Sequence, residues 1–495
     1  MADTPDSPAA DAADAADAAD ATDATDAAPA AARTGPSHSL GAHSLVYLVG
    51  TALQGLGVLL ILPFATRLLG PGEFGRVSTG VVAVQMVGTL AAAGLPQVIL
   101  REHHRGADGP RAARALAGAM ILLAAGVGAV GLVIALSLAA AGRAELSEWL
   151  PLLVAAVALT TVVSGQTLMR ARMRPWGFLL LAVGSTVLAQ GAGLLAARGD
   201  PTAGTYLTAY AAVLVLVAVA AVAVGRPLPP TAARARVREG VRLAAPLLPQ
   251  AVAMLGLLMG DVLLTRLLLG EAAAGSYQVA LQLGNMPFVL AVALFNAWGP
   301  LVLSHPVGTR WAWTGRTGAA LTTVVAFGAV GVALLGPWLV ALMADPSFDR
   351  AAMVDALALV VTAAVSYMVY QGASLAVLDV ERTGRLAWAA LAALGVLVVV
   401  AVVLAPVAGI VGIAAAKGVG YLVLALLTAL FARRHSPLRW PVAVPVVWSC
   451  AIVLAVLAGL LPADGPGVWV RLALTAIVGA GALALAPRVL RTLRG

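Results

Sequence analysis

Long apolar runs separated by short polar segments make up nearly all of the chain after residue 43. Each run has about 20 residues or more, the length an α-helix needs to cross a bilayer. The strands of an outer-membrane barrel would give segments of about 10 residues with alternating polarity, and none occur. We predict fourteen transmembrane helices, at 44–65, 77–97, 115–140, 149–169, 176–197, 203–225, 244–265, 276–303, 317–343, 352–378, 386–405, 408–431, 440–461 and 467–487.

The composition supports the same class of protein. Of the 495 residues 61% are hydrophobic and only 11% are charged, and the mean hydropathy is +0.95. A soluble domain carries about 25% charged residues. The predicted fold class is therefore an all-α polytopic membrane protein.

Residues 1–43 differ from the rest, because they form a low-complexity Asp/Ala/Thr repeat with no apolar core. Such a segment is expected to be a disordered tail. It is acidic and lacks an apolar h-region, so it is not a signal peptide. It contains eight of the 23 acidic residues and one arginine, which leaves 30 basic and 15 acidic residues in the remainder.

Arginines alternate between the loops in a way that predicts orientation. With the N-terminus in the cytoplasm, 23 arginines fall on the cytoplasmic side and seven on the outer side. The positive-inside rule favours this arrangement. We therefore expect a multi-pass protein of the cytoplasmic membrane with both termini in the cytoplasm.

A short phrase occurs twice, as TRLLGPGEFG at 66–75 and as TRLLLGEAAAG at 265–275. Each copy lies at the outer end of the first helix of a six-helix block, at 44–225 and 244–431. Six is an even number, so the blocks have the same orientation, and we expect a pseudo-twofold axis along the membrane normal and a central cavity. The basic linker 226–243 joins the blocks, and helices 13 and 14 with a basic C-terminus follow at 432–495.

Four segments carry a resemblance to a known family. LGPGEFG at 69–75, followed by GLPQVILRE at 94–102, resembles the opening of polysaccharide-biosynthesis flippases. The segments GDVLLTRLLLGEAAAGSYQVALQL at 260–283 and GIVGIAAAKGVG at 409–420 are similar to that family's second-half and helix-12 patterns. These flippases belong to the multidrug/oligosaccharidyl-lipid/polysaccharide exporter superfamily. The resemblance implies transport of a polyprenyl-diphosphate-linked saccharide to the outer leaflet by alternating access.

Other activities have less support in the sequence. The only lysine, Lys417, is not part of a phosphate-binding G-x-x-x-x-G-K-[ST] loop, and His103 and His104 lack the spacing of a zinc protease. Cys450 is the only cysteine, so an intrachain disulfide is excluded. We expect no enzyme activity, cofactor, metal or nucleic-acid partner. The expected partners are the lipid-linked saccharide, membrane lipids and polysaccharide-assembly proteins.

Three alternatives remain open. A multidrug exporter of the same superfamily or a peptidoglycan-precursor flippase would share the fold. A membrane glycosyltransferase or polymerase has less support, because such enzymes normally place acidic residues in substantial outer loops, and here the outer loops are short.

Polar residues in helix 8 are the first candidates for substrate binding. Gln278, Gln282, Asn285 and Asn296 are spaced so that they share one face of a helix, which Pro287 allows to bend. Intramembrane amides either line a cavity or hydrogen-bond between helices. With the repeat offset of 200 residues, Gln85 in helix 2 corresponds to Asn285.

Charged residues within the spans are the second group of candidates. Lys417 is predicted to attract an anionic headgroup or to form an ion pair with Asp261 or Asp355. Asp261 is a candidate for binding the coupling ion, or for a structural pair with a nearby cation.

Arg67 and Arg266 begin the two copies of the repeated phrase on the side that is poor in arginine. They could extend to lipid phosphates at the interface. Alternatively they could bind the two ends of a diphosphate, because the planar guanidinium donates two parallel hydrogen bonds.

The predicted orientation can be tested with single cysteines at Ser147, Ala232 and Asp464 in a Cys450→Ser background. An impermeant thiol reagent should label positions 147 and 464 in intact cells, and position 232 only after lysis, because the arginines place the linker in the cytoplasm. Labelling of position 232 in intact cells would contradict the orientation.

Overall fold

The computed structural model describes residues 37–143, 145–245, 248–380 and 384–494. The chain divides into two units, Met1–Ser44 and Leu45–Gly495, and the description below concerns the second. Most of the predicted disordered tail, residues 1–36, lies outside the described residues. The first helix begins at Ser37, seven residues before the predicted start at 44.

Helices account for nearly all described residues, and no strand occurs among them. Twelve helical runs are long and apolar enough to cross a membrane. Two of them bend at a glycine with non-helical dihedral angles, so the described residues form fourteen membrane helices, as predicted. The run Ser37–Ala92 divides at Gly70 into α1 (37–69) and α2 (71–92), and Gly384–His435 divides at Gly409 into α11 (384–408) and α12 (410–435).

The remaining membrane helices follow in chain order. In the first block these are α3 (Gly109–Ala140), α4 (Leu146–Ala171), α5 (Pro175–Ala197) and α6 (Ala203–Gly225). In the second block and beyond they are α7 (Leu248–Leu269), α8 (Glu271–Gly284 and Met286–Ser304), α9 (Val307–Met343), α10 (Arg350–Asp379), α13 (Ala443–Leu460) and α14 (Pro466–Arg494). We call α1–α6 the N-lobe and α7–α12 the C-lobe.

The repeated phrase forms the same backbone turn in both lobes. Gly70 has φ 68° and ψ 176°, and Gly270 has φ 89° and ψ −177°. Residues with a side chain rarely adopt a positive φ with extended ψ, so glycine is required at both positions. Each turn reverses the chain between the first and second helix of its lobe, which explains why the phrase is repeated.

The helices α2 and α8 cross at a pair of glycines directly after these turns. A Cβ atom on Gly75 would lie 1.8 Å from the carbonyl oxygen of Glu271, and one on Gly275 would lie 2.3 Å from that of Pro71. The contact is reciprocal, because residues 71 and 75 correspond to 271 and 275 by the 200-residue offset. This reciprocity is what a pseudo-twofold axis through the crossing requires. We call this end of the bundle the crossing end and the opposite end the arginine-rich end.

The best-buried membrane helix is α10, which packs against α8, α9, α12 and α13, whereas α14 lies largely at the surface. The core of the C-lobe therefore forms around α10. Arg471 of α14 is nevertheless only 1% exposed. Its guanidinium donates hydrogen bonds to the carbonyls of Leu334, Leu461 and Pro462, at 3.0, 2.5 and 3.2 Å. These bonds attach α14 to α9 and to the preceding loop.

The basic linker differs from the expected loop, because Arg234–Ala244 is an amphipathic helix. We call it the linker helix. Val237, Gly240 and Ala244 form its buried face, and Gly240 packs against side chains of the N-lobe. Two ion pairs hold it there, Arg236–Glu102 at 2.5 Å and Arg105–Glu239 at 2.9 Å. The high arginine content concealed this helical periodicity.

The crossing predicts that a single methyl group will separate the lobes. In a Cys450→Ser background, cysteines at Arg76 and Glu271, whose side chains are ion-paired, should cross-link readily. Adding Gly75→Ala should greatly reduce the cross-link, because the new Cβ meets backbone that has to move. Gly72→Ala is the matched control, since a Cβ there has no neighbour within 4 Å. Equal cross-linking in both variants would contradict the close crossing.

Candidate functional site

The two lobes are joined at the crossing end by three polar contacts and one aromatic contact. Thr66 donates a hydrogen bond to the carbonyl of Met343 at 2.7 Å, and Arg67 donates one to that of Leu342 at 3.3 Å. Arg76 of α2 forms an ion pair with Glu271 of α8. Phe74 and Phe348 pack edge to face, with ring centroids 6.1 Å apart. Together with the glycine crossing, these contacts join the lobes at this end.

The two arginines of the repeated phrase have different surroundings. Arg67 is exposed, and its guanidinium contacts only the Leu342 carbonyl among the hydrogen bonds described for it. Arg266 is half-buried and forms an ion pair with Glu271 at 3.0 Å, the same carboxylate that Arg76 contacts. The diphosphate-binding prediction for these arginines stays a prediction. Sequence analysis missed Arg76 and Glu271, which do not correspond to each other by the repeat offset.

Beyond the crossing, α8 presents amide side chains to the same side as Gly275. Gln278 and Gln282 follow Gly275 by three and seven residues, which places them on one helix face. Gln278 is buried, and its Oε1 atom has no hydrogen-bond partner. Gln282 is half-buried, so space remains beside it.

Helix 8 is interrupted within the predicted stripe. The segment Glu271–Gly284 ends and Met286–Ser304 begins next to Pro287, which cannot donate a backbone hydrogen bond. The helical hydrogen bonds continue on either side of the interruption, from the Asn285 N–H to the Leu281 carbonyl and from the Val289 N–H to the Asn285 carbonyl. Asn285 is half-buried at this point, and Asn296 is exposed on the second segment. Gln85, the counterpart of Asn285 in α2, is also half-buried.

Lys417 lies in the C-lobe interior and is fully buried. Its ammonium donates hydrogen bonds to Asp261 Oδ2 at 2.9 Å, to the Leu258 carbonyl at 2.9 Å and to the Leu257 carbonyl at 3.2 Å. Of the two carboxylates considered from the sequence, Asp261 is thus the partner. An ammonium has three N–H donors, and these contacts use all three.

A widened turn of α7 supplies the carbonyl groups. Residues Gly256–Gly260 form a single π-helical turn immediately before Asp261. Such a turn changes the helical pairing from i+4 to i+5 and commonly occurs at functional sites. Since Leu257 and Leu258 belong to this turn, their carbonyls can accept from Lys417 of α12.

Aromatic side chains complete the surroundings of the ion pair. Tyr277 of α8 donates a hydrogen bond to Asp261 Oδ2 at 2.5 Å, and the ring of Tyr421 lies 5.8 Å from the Lys417 ammonium. Tyr421 in turn packs edge to face against Phe288 and Tyr367. Two buried polar atoms here, Asp261 Oδ1 and Tyr421 Oη, have no partner. The described residues contain no group of three His, Cys, Asp or Glu side chains that could hold a metal.

The buried pair predicts non-additive effects on stability. Lys417→Met or Asp261→Leu alone should destabilise the protein by about 3–5 kcal/mol, because each leaves an uncompensated buried charge. The double variant should be more stable than either single variant, since it removes both charges. Thermal unfolding of purified protein in detergent measures this coupling. Additive losses in the double variant would mean that the two side chains do not interact.

Comparisons with known proteins place this geometry in context. The sequence profile of the family described as polysaccharide biosynthesis protein matches residues 40–304, more than half of the chain. No curated protein matches the sequence. Among solved structures, the lipid II flippase MurJ in an inward closed conformation is 11% identical, with a TM-score of 0.63, and the alignment covers 93% of this chain and 100% of that one.

Two MATE transporters also share the fold. An inward-facing multidrug resistance MATE family transporter of the MOP superfamily is 15% identical, with a TM-score of 0.52, covering 81% of this chain and 99% of that one. A Vibrio cholerae MATE transporter is 14% identical, with a TM-score of 0.51, covering 80% of this chain and 98% of that one. At these identities the similarity concerns the fold. The family match confirms the polysaccharide-biosynthesis resemblance found in the motifs, and the chain belongs to the polysaccharide biosynthesis protein family.

Proposed function

We propose that the protein moves a polyprenyl-diphosphate-linked oligosaccharide from the inner to the outer leaflet of the cytoplasmic membrane by alternating access. The observation that supports this most strongly is the crossing of α2 and α8. The two lobes meet there through a reciprocal approach of Gly75 and Gly275, and amide side chains follow directly beyond it on α8. A transporter that alternates between two openings needs such a contact at each end.

The chemistry of the candidate residues suits this cargo. Sugar hydroxyls both donate and accept hydrogen bonds, and the side-chain amides of Gln278, Gln282 and Asn285 can do the same. Arg67 and Arg266 are suited to a diphosphate because of their planar donor geometry. The solved structure with the highest of the three TM-scores above is named a lipid II flippase, a protein with a lipid-linked cargo.

Asp261 is a less accessible candidate for ion coupling than the sequence suggested. In this structure its Oδ2 atom is occupied by Lys417 and Tyr277. Binding of a coupling proton to that atom would require the Lys417 contact to break. Only Oδ1 is without a partner. Ion coupling at Asp261 stays a hypothesis. The unfolding measurements on the Lys417 and Asp261 variants would show how strong the competing ion pair is.

Replacing the amide side chains of α8 is expected to impair transport without lowering the amount of protein. Gln282→Leu and Asn285→Leu should each lower translocation of a polyprenyl-diphosphate oligosaccharide in proteoliposomes several-fold, because a lost hydrogen bond is worth about 0.5–1.5 kcal/mol. Gln97→Leu, an exposed residue beyond the end of α2, is the control. Transport of a cationic dye but not of the saccharide would overturn the proposed cargo in favour of a multidrug exporter.

The twin arginines predict a graded series. Arg67→Ala and Arg266→Ala should each weaken the substrate interaction about 10- to 150-fold, the scale of a charge-assisted hydrogen bond. Lysine keeps the charge but not the planar donor pair, so Arg67→Lys and Arg266→Lys should fall between wild type and alanine. The measurement is translocation at varied substrate concentration, normalised to reconstituted protein. Full rescue by lysine would support interface anchoring instead.

A further inference from the structure

An apolar groove lies on the N-lobe between α3, α4 and α6, and its lining residues belong to these three helices. Its volume is about 590 Å³. Small buried residues, Gly128, Ala158 and Ala218, form its floor, and exposed valines and leucines form its walls. The three helices that line it are membrane spans, so hydrocarbon chains are what this surface contacts.

The ends of α4 place the groove relative to the membrane. Trp149 at one end is 37% exposed, and Trp176, just past the other end, is 67% exposed. Exposed tryptophans mark the two membrane interfaces. From Trp149 to Arg172 the rise at 1.5 Å per residue is about 34 Å, close to the thickness of the hydrocarbon layer, about 30 Å. Arg172 is therefore at headgroup level, and the groove is within the hydrocarbon.

Four arginines gather at that level, where α3, α4, α5 and α6 approach one another. Arg172 donates to the carbonyls at the C-terminus of α6, to Gly225 at 2.6 Å, and Arg114 Nε donates to the Arg226 carbonyl at 2.6 Å. Arg174 and Arg226 are exposed. Burial, together with Arg114, Arg174 and Arg226, lowers the pKa of Arg172, and no carboxylate is among the groups that shift it.

The groove approaches the arginines most closely along α6. Val222 lines the groove and precedes Arg226 by four residues of α6, a rise of about 6 Å. On α3 and α4 the nearest lining residues, Ala125 and Thr161, are eleven residues from Arg114 and Arg172, a rise of about 16 Å. An apolar groove on the hydrocarbon side of a positive cluster matches a lipid with hydrocarbon chains and a negatively charged phosphate. We propose that this face of the N-lobe binds an anionic diacyl phospholipid, with an acyl chain in the groove and the phosphate against Arg172, Arg174 and Arg226.

A membrane phospholipid fits this face better than the transported substrate does. The proposed substrate path follows α2 and α8, whereas α3, α4 and α6 form the groove. A lipid held here would also offset the mutual repulsion of the four arginines and connect the ends of α4 and α6. The site would therefore stabilise the N-lobe rather than carry cargo.

The proposed lipid site can be tested by native mass spectrometry of the full-length protein mixed with equal amounts of dioleoylphosphatidylglycerol, which is anionic, and dioleoylphosphatidylcholine. The wild type should retain more phosphatidylglycerol than phosphatidylcholine. Arg174→Gln with Arg226→Gln should reduce that preference about 25-fold, or about fivefold per arginine. Arg114 and Arg172 are left intact because they cap α6. The control pair is Arg234→Gln with Arg238→Gln, which are exposed on the linker helix and should leave the preference unchanged.

A second variant addresses the groove itself. Ala125 is exposed and lines it, so Ala125→Phe should fill part of the space and lower retention of both lipids. Ala473→Phe, at an exposed alanine of α14, is the matched control. Equal retention of the two lipids by the wild type would overturn the proposal. So would displacement of phosphatidylglycerol by inorganic diphosphate, which indicates a simple anion site, or by polyprenyl diphosphate at equal concentration, which indicates a substrate site.

Discussion

The close approach of α2 and α8 at Gly75 and Gly275 is the contact on which the arrangement of the lobes depends. Each glycine meets a backbone carbonyl of the other lobe at a distance that leaves no room for a side chain. The contact is reciprocal, so the same backbone approach defines the position of α2 against α8 from both sides. The ion pair and the hydrogen bonds around it add specificity to the closed state.

The two lobes share a fold but differ in their buried charges. The repeated phrase aligns Asp261 with Leu62, which is apolar. Among the ion pairs of the described residues, only Lys417–Asp261 has both side chains fully buried, and a widened turn of α7 supplies its carbonyl acceptors. Burying a charge in the membrane is tolerated here because every donor of Lys417 has a partner. The pair thereby joins α7 to α12 within the C-lobe.

Sequence reasoning succeeded where a local signal has a single structural meaning. Apolar length gave the fourteen helices, and glycines after a repeated phrase gave the two matching turns. It failed where the outcome depends on distant partners. The linker helix depends on packing against the N-lobe. Asp261 lies 156 residues from Lys417 along the chain, and Asp355 was an equally reasonable partner until the helices were placed. The break at Asn285 was visible as Pro287, but a proline can also bend a helix without ending it.

Opening of the crossing end would change the environment of the arginines unequally. Arg76 and Glu271 are on different lobes, so their ion pair would break as the lobes part, and Arg67 would lose the Leu342 carbonyl. Arg266 and Glu271 are both in the C-lobe, so that pair would persist. On the proposed function, a diphosphate at this end would compete with Glu271 for Arg76 and thereby stabilise the open state. A ligand shifts a conformational equilibrium only by its differential affinity for the two states. The N-lobe arginines that lose their partners on opening are where an anionic cargo would gain that difference, whereas a cationic cargo would gain none.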